Sequence, residues 1–153
     1  MKWMTTDVDL YIQSKQYVDT AIIPLIPVDF SEGMKNKVLE GEFITILSNE
    51  IERQFKGRMF LFPPITYLSE ETNLFNDLER LKDWKMLAIT KGFKHVIFLT
   101  SDAAWKEHEQ VLESSLICLS PIPLEHVDGN LKQQIMTDQV QALVPLLLKA
   151  WRN

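Results

Sequence analysis

Apolar residues along the chain follow two kinds of spacing: short continuous runs, and stretches in which they recur every third or fourth position. Continuous runs are the mark of strands buried on both faces, and the wider spacing marks amphipathic helices. Thr20 to Val28, TAIIPLIPV, is the first run. Pro24 and Pro27 each remove a ladder donor from it, so its end is expected to be irregular. From Ser31 to Phe55 the residues Leu39, Phe43, Ile46, Leu47, Ile51 and Phe55 keep helical spacing. Ser31 is the expected cap of that helix and Gly57 its terminator.

Arg58 to Phe62 reads as a second strand, stopped by Pro63 and Pro64, with a loop expected through Thr66 and Tyr67. Leu74, Leu78, Leu81, Lys85 and Ala88 share one helical face, with Phe75, Trp84 and Leu87 at its margins, until Gly92 supplies a helix stop. KHVIFLT is the third strand, Ala103 to Leu112 a short helix, and SSLICLS a fourth strand ended by Pro121 and Pro123. Leu131 to Trp151 carries a broad apolar stripe and forms the last helix, which is expected to pack on the sheet and to kink or restart at Pro145. The final turns beyond Pro145 are the candidate contact surface, with packing into the core as the alternative.

Strands alternating with helices predict a small three-layer doubly wound α/β domain whose mostly parallel sheet has about four strands, because each parallel crossover needs a helix-length connection. Charge is spread evenly and no linker interrupts the chain, so residues 1–153 are expected to form a single domain. Ligands in such folds sit outside the carboxyl ends of the strands. Function is therefore sought in Val28 to Phe30, Pro63 to Tyr67, Thr100 to Asp102, and Ser120 to Val127.

Composition narrows the classes of function. With 153 residues, 46% of them hydrophobic, the chain has the size of one ordinary domain. Its net charge of -5 repels a phosphate backbone, which argues against a nucleic-acid partner. The single cysteine, Cys118, lies in an apolar run and is read as a small buried hydrophobe in a reducing cytoplasm. No stretch reaches the roughly 20 apolar residues of a membrane span, and the first ten residues do not read as a signal peptide.

Candidate chemistry is sparse. Only five glycines are present and none forms a GxGxxG or P-loop, so no nucleotide cofactor is expected. His95, His108 and His126 form no HxxxH or HExxH pattern, and no metal is expected. Asp102, in SDAAW, stands directly before a helix and reads as a cap, while Asp29 suits an Asx-turn. Ser101 and Ser120 lack the glycine-flanked elbow of a serine nucleophile. The residues expected to border a ligand site are Asp29, Thr100, Ser101, Asp102 and His126.

The stretches YVDTAIIPLIPVDF and KGFKHVIFLTSDAAWKEHE resemble the uncharacterised bacterial YpiF-like family nearly end to end. That resemblance carries no activity. A more distant similarity, over about 110 residues of strand and helix order, is to the creatininase (creatinine amidohydrolase) family. Its first strand ends in Pro-x-Gly-x-x-Glu-x-His-Gly and its third in Asn-Gly-His-Gly-Gly-Asn, which supply metal ligands. Here those places read PLIPVDF and LTSDAAW, and only Pro24, Pro63 and Pro64 keep landmarks. The resemblance implies a scaffold that kept the fold and lost the metal site. The expected function is a non-catalytic cytoplasmic module acting through a protein partner, self-association or a small ligand. The alternative is a hydrolase with a site rebuilt from Asp29, Asp102 and His126.

Overall fold

The computed structural model describes residues 1–69 and 74–152, so Glu70 and Glu71, which follow RMFLFPPITYLS in the chain, lie outside the described residues. Strand β1 is Thr20–Val28, the bounds its apolar run predicts, and it is the centre of a parallel sheet ordered β2-β1-β4-β5. β2 is Met59–Leu61, β4 is His95–Thr100 and β5 is Leu116–Cys118.

The loop expected through Thr66 and Tyr67 is instead a strand, β3, Ile65–Leu68, which pairs with the second half of β1 from Leu25 to Val28. Its Ile65 and Tyr67 are buried while Thr66 and Leu68 are exposed, a period of two that follows the two prolines directly. Pro63 and Pro64 thus divide one edge partner of β1 into β2 and β3. Pro24 lies in the part of β1 that has no partner on that edge, between Ile22↔Leu61 and Leu25↔Ile65. A proline inside a central strand is tolerated where the neighbouring ladder is already broken.

Alternate residues of the central strands feed two cores. Ala21, Ile23, Leu25, Val96 and Phe98 point to one face, and Ile22, Ile97 and Leu99 to the other. Helices α2, Met34–Gln54, and α5, Gly129–Arg152, cover the second face. Helix α3, Phe75–Thr90, and the segment from Ala103 to Leu112 cover the first. That segment is a 3-10 stretch, Ala103–His108, running into a short helix, α4, Glu109–Leu112. Each fully buried Leu, Ile or Phe in these layers contributes about 1.5–3 kcal/mol.

An additional helix, α1, Thr5–Ser14, precedes the first expected element. It has no fully buried residue, and only Val8 and Tyr11 rest on the core, so its apolar signal is too narrow to mark it in the sequence. Ser31 is not the cap of α2: Gly33 holds that position, and the Ser31 carbonyl accepts from the Met34 amide instead. Gly92 does end α3, at φ 116°, with Gly92 N–H donating to Ile89 O and Phe93 N–H to Ala88 O in the Schellman pattern. Pro145 neither ends nor restarts α5, which runs unbroken to Arg152.

The turns after Pro145 reach the core on one side, while Leu146 and Leu148 stay exposed on the other. Leu147 and Ala150 are buried, and the Trp151 indole N–H donates to Thr20 Oγ1 at 2.8 Å. The Arg58 guanidinium lies 3.8 Å from the Trp151 ring centroid and pairs with Asp19 at 3.0 Å, holding the last turn against the start of β1. Among the described residues no helix is long and apolar enough to cross a membrane.

Candidate functional site

The chain leaves β1 towards β2 on one side and later returns to β4 on the other, so the carboxyl ends of β1 and β4 form the topological switch point. Asp102 stands just after β4 and is buried. Its backbone N–H donates to Thr100 Oγ1 at 3.0 Å, and its Oδ1 accepts from the Ala104 amide at 3.0 Å, the expected capping bond.

That capping oxygen has a second partner. Lys37, on the first turn of α2, donates from Nζ to Asp102 Oδ1 at 3.2 Å and also pairs with Glu40 at 3.2 Å. The other Asp102 oxygen accepts from the Tyr67 hydroxyl at 2.7 Å. Asn36 Nδ2 donates to Glu40 Oε1 at 3.1 Å, and the Cys118 thiol reaches the Asp102 carbonyl at 3.7 Å. One ammonium thus lies between two buried carboxylates, with a phenol on the far side.

Burial sets the proton affinities. It raises the Glu40 carboxyl above its ordinary value, with the neighbouring Asp102 charge acting in the same sense and Lys37 and Asn36 opposing. Burial works against the Lys37 ammonium, but Asp102 and Glu40 outweigh it and the group stays charged. The Tyr67 phenol is pushed far above its ordinary value, first by burial and then by the Asp102 carboxylate. Burial also raises the Cys118 thiol. At neutral pH these groups present donors and a fixed charge pair; neither the phenol nor the thiol is a ready nucleophile.

A crevice of about 680 Å³ opens beside this network, between the end of β1 and α2. Ile26, Val28, Phe30, Met34 and Val38 give it an apolar lining, and Lys37, Asp29, Glu42 and Lys132 add charge. Gly41 lets α2 approach closely, since a Cβ there would meet Ile26 Cγ2 at 3.1 Å. The volume is within the range of about 300–1,000 Å³ common to small-molecule sites.

Of the residues expected from sequence, Thr100, Ser101 and Asp102 are buried together at the end of β4, and the Ser101 hydroxyl has no hydrogen-bond partner among the described residues. Asp29 borders the crevice and forms the expected turn, accepting from the Ser31 amide at 2.6 Å. His126 is not buried with them: its side chain is 91% exposed, and Glu125 Oε1 lies 3.9 Å from its Nε2. Among the described residues no group of three or more His, Cys, Asp or Glu is positioned to hold a metal ion.

Sequence reasoning missed Lys37, Glu40 and Tyr67. A signal existed for Glu40, because it precedes Phe43, Ile44 and Leu47 by three, four and seven positions and so occupies the buried stripe of α2. A carboxylate on an apolar stripe demands a partner.

The sequence pattern of the family described as "Protein of unknown function (DUF2487)" matches residues 9–151. The chain is 38% identical over 151 residues to "Uncharacterized protein YpiF" of Bacillus subtilis (strain 168), covering 99% of this chain and 98% of that protein. No solved structure matches it.

Proposed function

The chain belongs to the DUF2487 family of proteins of unknown function, and from that premise we propose that it is a non-catalytic cytoplasmic binding module. Its ligand is a small, largely apolar molecule with one hydrogen-bonding end, held in the crevice between β1 and α2. The observation that carries this reading is Lys37, which borders the crevice while its ammonium is held by buried Asp102 and Glu40. Such a cation is preorganised to meet a polar ligand atom, and the apolar lining takes the rest of the molecule.

The geometry supports binding over hydrolysis. Both Asp102 oxygens already accept hydrogen bonds, and the His126 side chain is exposed to solvent while Asp102 is buried. A creatininase-like ancestry that lost its ligand positions is in keeping with the element order and with LTSDAAW at the end of β4. Contact with a protein partner or a second copy is the other form of the same reading, and it draws on exposed Phe30 and Met34 at the crevice mouth.

Fragment screening by NMR on the labelled protein tests the proposal. Hits should move the amide signals of residues 28–38, and Val38→Trp, which fills the crevice from an exposed position, should abolish them. Hits confined to other surfaces, or unaffected by V38W, would overturn it.

A further inference from the structure

On the opposite face of the sheet a second groove, about 400 Å³ in volume, runs between α1 and α3. Its floor is aromatic: the Phe62 and Phe93 ring centroids are 5.6 Å apart and Phe60 lies 5.0 Å from Phe62. Trp3 covers one end, 5.6 Å from Phe62, and Trp84 stands edge-on to Phe62 at 6.4 Å. Both tryptophans are exposed, Trp3 by 61% and Trp84 by 40%, which is a costly way to leave so much aromatic surface in water.

The charge at this groove is one-sided. Lys15 and Lys91 border it and, among the described residues, no carboxylate does, in a chain whose net charge is -5. Neither lysine forms an ion pair among the described residues, and the Lys15 ammonium lies 5.8 Å from the Tyr11 ring centroid at the groove wall. An aromatic trough edged by unmatched cations is complementary to an amphipathic anion.

We propose that the groove between α1 and α3 binds a single-chain acyl carboxylate, with the hydrocarbon against Phe62, Trp3 and Trp84 and the carboxylate at Lys15 and Lys91. The cations select the head group, and the aromatic floor takes the chain without regard to its exact length. This site is independent of the crevice beside Lys37, since the two lie on opposite faces of the sheet.

Tryptophan fluorescence of the full chain, titrated with monomeric decanoate, is the test, because Trp3 and Trp84 report directly from the groove. Saturable one-to-one binding is expected. Replacing both lysines (Lys15→Glu with Lys91→Glu) should weaken it by about tenfold or more, with decanol and decyltrimethylammonium binding the parent correspondingly less well. Unchanged melting of the double variant will show that the loss is one of binding. The proposal is overturned by no saturable change, by equal affinity for decanol or the cationic amphiphile, or by decanoate binding that survives the double substitution. Association with phosphatidylglycerol vesicles and not with monomeric decanoate also overturns it, in favour of a membrane surface.

Discussion

The Tyr67 hydroxyl donates to Asp102 Oδ2 at 2.7 Å across 35 residues of chain, and so ties strand β3 to the loop that follows β4. Both side chains are buried, so neither has water as a substitute partner. Tyr67→Phe removes the donor and keeps the ring that packs edge-on against Trp105 at 5.4 Å. Loss of one buried bond to a charged acceptor should lower stability by about 1–3 kcal/mol, read as a shift of the urea midpoint. An unchanged midpoint would contradict the assignment.

Acid stability should depend on Glu50. The Arg53 guanidinium, against the opposing effect of burial and with help from Gln54 and Gln133, holds this carboxyl at about 2 instead of its ordinary 4.5. A carboxyl whose folded value is depressed adds stability that is fully present above the unfolded value and is lost as pH falls through the folded one. Stability should therefore decline from about pH 4.5 towards pH 2. Glu50→Gln should flatten that limb in denaturation curves taken across the range, and an equally steep limb in the variant would assign the acid sensitivity elsewhere.

Gly92 and Gly129 make a controlled pair. A Cβ at either would meet nothing within 4 Å, but Gly92 sits at φ 116° and Gly129 has no such backbone requirement. Gly92→Val should cost about 1–3 kcal/mol from backbone strain alone, whereas Gly129→Ala should lie within about 0.5 kcal/mol of the parent. Equal melting temperatures for the two variants would remove backbone strain as the cause.

Deleting residues 145–153 should unfold or aggregate the protein. The removed turns hold buried Leu147 and Ala150, the Trp151 bond to Thr20 at 2.8 Å, and the ring on which Arg58 stacks at 3.8 Å. The milder Trp151→Phe keeps an aromatic ring but loses the indole N–H, and should cost about 1–2 kcal/mol by loss of the bond and a weakened cation stack. A truncated chain with the parent's circular dichroism and melting temperature would show that the tail is dispensable.

The features legible in the sequence are those that one element specifies by itself. β1 begins and ends where its apolar run does, and KHVIFLT becomes β4 from His95 to Thr100. Gly57 and Gly92 both adopt the positive φ that their places after helical stretches predict. These depend on side-chain periodicity and backbone preference over a few neighbouring residues, which composition and spacing record directly. The alternation of such elements was enough for the parallel α/β class.

What only the tertiary structure decided is which distant residues meet. Lys37 and Asp102 are 65 positions apart, and no local pattern links them. β3 exists because the second half of β1 offers Leu25 to Val28 an otherwise unpaired edge, and that edge places Tyr67 beneath Asp102. His126 and Asp102 carry equally suggestive side chains in sequence, yet one is almost wholly in solvent and the other buried with every oxygen engaged. Burial and pairing are properties of the assembled sheet, because the cost of removing a charge from water is offset only by partners that the fold brings from elsewhere in the chain.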